Sequence, residues 1–152
     1  MSSATDRGWL PDVNVWLALC SERHEHHTAA NEWRVQVASP LYFCRVTQMG
    51  LLRLLTNRKV MGGDVQTPEQ AIGIFRQLLR HDQVLYADEP GGTEELWMSL
   101  MTSQQASVGH WTDAWLAAVS MRLGSGLVSF DAGMQRWPGA NLKLLRPHTP
   151  VP

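Results

Sequence analysis

The feature that most restricts how this chain can fold is a pair of short apolar segments, far apart in the sequence, that each run directly into an aspartate. The first is Trp9-Leu10-Pro11-Asp12 near the start, and the second is Gly126-Leu127-Val128-Ser129-Phe130-Asp131 near the end. Runs this short and this apolar read as strands buried in a sheet, and a carboxylate at the end of such a run marks where the strand leaves the core. Leu41-Tyr42-Phe43-Cys44 after Pro40, Gln83 to Tyr86 and Leu142 to Leu145 read the same way.

Between these runs the apolar period changes from strand-like to helical. Val15, Trp16, Leu17 and Leu19 follow Asp12, and a second helix is expected from Thr28, which can cap it, with Trp33 and Val37 on its inner stripe. Met49, Leu51, Leu52, Leu54 and Leu55 predict a third helix that ends at Asn57. Thr67-Pro68-Glu69-Gln70 is a capping box with proline at the first helical position, and Ala71, Ile72, Phe75, Leu78 and Leu79 continue it. Helices are also expected over Thr93 to Met101 and Thr112 to Leu123, the latter stopped by Gly124 or Gly126. Strands that alternate with helices over short links imply a mostly parallel sheet of four to five strands, covered on both faces. Ligands of such sheets bind beyond the carboxyl ends of the strands, and Asp12 and Asp131 fall there.

The bulk properties fit one soluble domain spanning residues 1–152, with 1–8 and 147–152 expected as flexible ends. Apolar residues are 44% and charged residues 18%, which argues against disorder. No run approaches the roughly 18 apolar residues of a membrane span, so a cytoplasmic protein without membrane contact is expected. Cys20 and Cys44 have no zinc or disulfide spacing and read as buried thiols. The net charge of −1 gives no long-range field for nucleic acid, so any RNA contact would rest on local groups such as Arg45, Arg53, Arg58 and Lys59.

Asp113, in the first turn of the Ala-rich helix, can join Asp12 and Asp131 at one sheet edge. Crowded carboxylates raise one another's pKa and normally need a cation or shared protons. An all-oxygen set favours Mg²⁺ or Mn²⁺, which can polarise a phosphoryl oxygen and activate water. Taken singly, Asp12 is a helix cap, Asp113 an N-terminal helix acid and Asp131 a turn acid.

The wording around these acids resembles the PIN-domain nucleases, and among them the VapC-type toxins of toxin–antitoxin pairs. The resemblance rests on Leu10-Pro11-Asp12-Val13-Asn14-Val15, on His26-His27 with Ala29-Ala30 and Trp33, and on Arg45-Val46-Thr47-Gln48 leading into Leu51-Leu52-Arg53-Leu54-Leu55-Thr56. It continues through Trp111-Thr112-Asp113-Ala114-Trp115-Leu116-Ala117-Ala118 and Leu127-Val128-Ser129-Phe130-Asp131. The resemblance implies a three-layer α/β/α fold and a metal-dependent endoribonuclease cleaving RNA, with tRNA the family-level substrate. It further implies Asp12 and Asp113 as metal ligands, Asp131 completing the site, and Asn14 and Thr47 supporting it by hydrogen bonds. A small VapB-type antitoxin and a homodimer are the expected partners.

Gln48 departs from the pattern, because much of the family carries glutamate there; an amide binds a cation less strongly and cannot act as a base. It motivates the alternative of a weak or inactive PIN scaffold that binds RNA or protein; Glu89 could replace the missing carboxylate, although beside Pro90 and Gly91 it reads first as a turn residue. A phosphohydrolase using Asp12 as covalent nucleophile is a further alternative, disfavoured because Asn14 stands where such enzymes carry a second acid. The His24-Glu25-His26-His27 run reads as polar groups at the mouth of the site rather than a zinc site. Trp111 can stack on bases, whereas Trp115, Trp16, Trp33 and Trp97 read as core.

Overall fold

A computed structural model describes residues 7–147, so most of the expected flexible ends lie outside the described residues. Five strands form one sheet in the order β3-β2-β1-β4-β5: β1 is Trp9–Pro11, β2 Leu41–Phe43, β3 Val84–Tyr86, β4 Gly126–Ser129 and β5 Leu142–Leu144. All four pairings are parallel. The order reverses beside β1, which places Asp12 and the end of β4 at the topological switch point.

Side chains alternate across the sheet as the pleat requires, so Trp9 and Val128 enter one apolar layer while Leu10 and Leu127 enter the other. Helices α1 (Val13–Cys20), α2 (His27–Gln36), α3 (Arg45–Leu55) and α5 (Pro68–Leu79) cover the first face. There Trp16 stacks on Phe43 at 3.8 Å, and Phe75 meets Phe43 edge-on at 4.9 Å. Helices α6 (Thr93–Ser103) and α7 (Trp111–Leu123) cover the second face, where Ala114, Ala117 and Ala118 leave no bulk between α7 and the strands. The expected three layers and parallel sheet are therefore present.

Pro11 occupies a central strand, a position that normally excludes proline because the ladder needs its N–H. Here β1 pairs with β2 through Trp9 alone, and with β4 through Trp9, Leu10 and Pro11. The missing donor thus falls where the β1–β2 ladder has already ended. Gly126 lies under the Trp9 ring, and a Cβ there would meet Trp9 Cε3 at 2.3 Å, so only glycine lets β4 pair beside that indole.

Several boundaries differ from the sequence reading. Helix α2 starts at His27 rather than being capped by Thr28, and His27 Nδ1 lies 2.7 Å from the Ala18 carbonyl, tying α2 to α1. Helix α3 starts at Arg45 because the Thr47 hydroxyl accepts from the Cys44 N–H at 3.0 Å and donates to the Cys44 carbonyl at 3.1 Å. Beyond Asn57, a short helix α4 (Arg58–Met61) continues into a 3-10 turn over Gly62–Asp64. The Thr67–Gln70 capping box forms as read. Cys44 is buried, and Cys20 is partly buried against the same apolar layer as α1. Among the described residues no helix is long and apolar enough to cross a membrane.

Candidate active site

The carboxyl edge of the sheet is built around Asp12, which follows β1 and caps α1. Its Oδ1 accepts from the Val13 N–H at 2.7 Å, and its Oδ2 accepts from the Ser129 hydroxyl at 2.8 Å. Its own N–H donates to the Val128 carbonyl at 2.7 Å, which fixes it against β4. The side chain is buried, at 8% exposure. Burial pushes its pKa up; the Ser129 and Val13 bonds pull it down, and the Asp131 charge pushes it up again.

Asp131 follows β4 and caps a 3-10 turn over Ala132–Arg136, accepting from the Gly133 N–H at 2.8 Å. Asp113 sits in the first turn of α7, half-buried. Its pKa is raised to about 6, first by burial and then by the charges of Asp12 and Asp131. All three acids therefore lie within electrostatic range of one another, although they come from positions 12, 113 and 131. Among the described residues none of them forms an ion pair.

The remaining expected residues behave differently. Gln48 is in the first turn of α3 with its amide oxygen 2.6 Å from Arg45 Nη1, and no hydrogen bond joins it to the acids. Thr47 is fully buried and spends its hydroxyl on Cys44, so its support reaches the site only through the position of α3. Asn14 is exposed in the first turn of α1 and makes no side-chain hydrogen bond among the described residues. Glu89 lines a separate pocket of about 220 Å³ with Arg45, Tyr86 and Trp115. His26 stacks on Phe130 at 4.6 Å, next to Asp131. Trp111 is 46% exposed and meets Trp97 edge-on, and Trp97 and Trp115 are only half-buried rather than core.

Ser129 is the residue that sequence reasoning passed over. Fully buried, it donates to Asp12 and accepts from the Asp131 N–H at 2.9 Å, linking two of the acids through one hydroxyl. The available signal was a polar residue inside an otherwise apolar strand, two positions before an acid.

No three His, Cys, Asp or Glu side chains among the described residues close into a ready metal cage. The donor chemistry nevertheless fits a hard divalent cation: oxygen ligands alone, mutual repulsion, and, among the described residues, no lysine or arginine paired with them. Mg²⁺ in particular is commonly held through one or two carboxylates and keeps several waters.

The PIN-domain profile matches residues 10–139, which takes in all three acids. The chain belongs to the PIN-domain family. Within it, this PIN domain is similar to Ribonuclease VapC41 of Mycobacterium tuberculosis, 37% identical over 142 residues that cover 90% of this chain and 97% of that relative. Its fold is similar to that of VapBC2 from Rickettsia felis, solved bound to a DNA fragment from their promoter, with a TM-score of 0.66 and 11% identity, covering 91% of this chain and 98% of that one. It is also similar to VapC20 of M. tuberculosis, described as a sarcin-ricin loop cleaving toxin, at a TM-score of 0.64 and 16% identity, covering 84% and 93%.

Proposed function

We propose that this PIN domain is an endoribonuclease toxin of the VapC type that requires Mg²⁺ or Mn²⁺ and acts on cytoplasmic RNA, with tRNA the first substrate to test. The observation that carries this reading is the charge crowding at the sheet edge. Asp113 is held up to about 6 beside Asp12 and Asp131, and no side-chain cation offsets them among the described residues. The similarity to a protein named as a ribonuclease, over nearly the whole of both chains, supports the same chemistry.

Asp12 and Asp113 would hold the cation, with Asp131 completing its surroundings. When bound, the cation supplies polarisation of the phosphodiester and activation of water for in-line attack. Asp12 is pre-oriented for this by the Val13 N–H and the Ser129 hydroxyl, which each take one lone pair of a different oxygen and leave others free. Ser129 holds Asp131 and Asp12 in register through the same hydroxyl. No side chain needs to serve as nucleophile.

A small antitoxin of the VapB type would restrain the enzyme, as the VapBC complexes among the similar structures suggest. Beside the acids lies an apolar groove of about 550 Å³, lined by Val13, Val46, Met49, Leu52 and Thr112, where such a partner's segment or a second copy of the chain would seat.

The test is cleavage of total RNA by purified protein with Mg²⁺, Mn²⁺ or EDTA. Metal-dependent discrete fragments that disappear in Asp12→Ala and Asp113→Ala are expected. Unchanged cleavage by either variant, or cleavage in EDTA, would falsify the assignment. Absence of cleavage by the wild type would favour the non-cutting scaffold that Gln48 motivates.

A further inference from the structure

Arg136 ends the 3-10 turn that Asp131 begins, and His110 immediately precedes the helix that carries Asp113. The two side chains meet: Arg136 Nη1 lies 2.6 Å from His110 Nε2, and Ser107 Oγ lies 3.0 Å from His110 Nδ1. Nδ1 accepts from the Ser107 N–H at 3.0 Å, and Arg136 Nη1, also 3.0 Å from Nδ1, lies against the imidazole rather than in line with one ring nitrogen. The other support of Arg136 is the Trp137 ring, whose centroid is 5.3 Å from Cζ. Among the described residues the guanidinium has no carboxylate partner. Its Nε is buried and has no hydrogen-bond partner among the described residues.

A partly buried cation without a counter-ion is unfavourable unless an anion arrives to pair with it. It is odd that the pairing is not local, since Asp131 is only a five-residue turn away, a span of about 10 Å at the rise of a 3-10 helix. The turn instead holds the charge against His110, three residues before Asp113. Guanidinium forks suit phosphate oxygens, and a backbone phosphate contact positions a nucleic acid without reading its sequence.

We propose that Arg136, positioned by His110 and Trp137, binds a backbone phosphate flanking the scissile one. The inference rests on the nuclease reading and extends it: the chain's net charge of −1 provides no general attraction for RNA, so seating it falls to local cations, of which Arg136 is one held in place beforehand.

The test measures binding of a fluorescent single-stranded oligoribonucleotide in EDTA, where cleavage is blocked, across 50 to 200 mM NaCl. For wild type against Arg136→Gln, weaker binding and a log K against log salt slope shallower by about 0.7 are expected, the value for one phosphate contact to a single strand. Arg136→Lys should keep the slope. Arg136→Met retains the apolar stem over Trp137 and substitutes for Arg136→Gln if that variant melts early. An unchanged slope in the folded neutral variant, or no binding by the wild type, overturns the proposal. Wild-type cleavage of total RNA in Mg²⁺, run in parallel, reports on the nuclease reading separately.

Discussion

Asp113 is an acid whose ordinary value of 3.8 rises to about 6 because it is half-buried and faces two like charges. A native state that holds a carboxyl above its unfolded value binds more protons than the unfolded chain in between. The stabilisation from that proton is complete below about pH 4 and is lost as pH rises through about 6. In the metal-free protein, Asp113→Asn should therefore melt at higher temperature than wild type at about pH 8, and the difference should vanish towards pH 4. A difference that is constant with pH would mean the repulsion is not felt. The three acids were legible in the sequence because each follows a recognisable boundary: a strand end, a helix start and a second strand end. Ser129 and Arg136 were not, because a buried serine and a surface-type arginine owe their roles to partners 117 and 26 residues away.

At the scale of elements, the crossing of α1 and α3 sets where Asp12 points. Gly50 of α3 lies against Val13, and an added Cβ would come within 2.6 Å of Val13 Cγ2. Alanine is intrinsically the better helix former by about 1 kcal/mol, but overpacking costs about 1–3 kcal/mol. A net destabilisation of about 1 kcal/mol is expected for Gly50→Ala in urea unfolding, with slower cleavage because the Val13 N–H that orients Asp12 shifts with it. Stabilisation would show that Val13 simply rotates away. The helix periods and the Thr67 capping box were readable locally. The start of α3 was not, since Cys44 is an unusual cap residue and the hydroxyl that closes the turn comes from Thr47, inside the helix.

For the whole molecule, the site couples to stability through the fold that assembles it. A cation bound to the native acids but not to the unfolded chain stabilises the protein, by about 2.7 kcal/mol at a hundred times its Kd. Saturating Mg²⁺ or Mn²⁺ should raise the melting temperature of the wild type at about pH 8 and leave that of Asp12→Ala unmoved. An equal rise in both would place the cation elsewhere. By itself the sequence determined the alternation of strands and helices, hence the parallel three-layer sheet, because apolar period and turn chemistry are local properties. It also marked the acids, because charge at the end of an apolar run is conspicuous. Tertiary structure alone decided that the strand order reverses beside β1. It likewise decided that Asp12, Asp113 and Asp131 share one field while Gln48 faces Arg45, and that Arg136 is left without an acid among the described residues. Those outcomes depend on distances between residues remote in the chain, which only the packed sheet brings within reach.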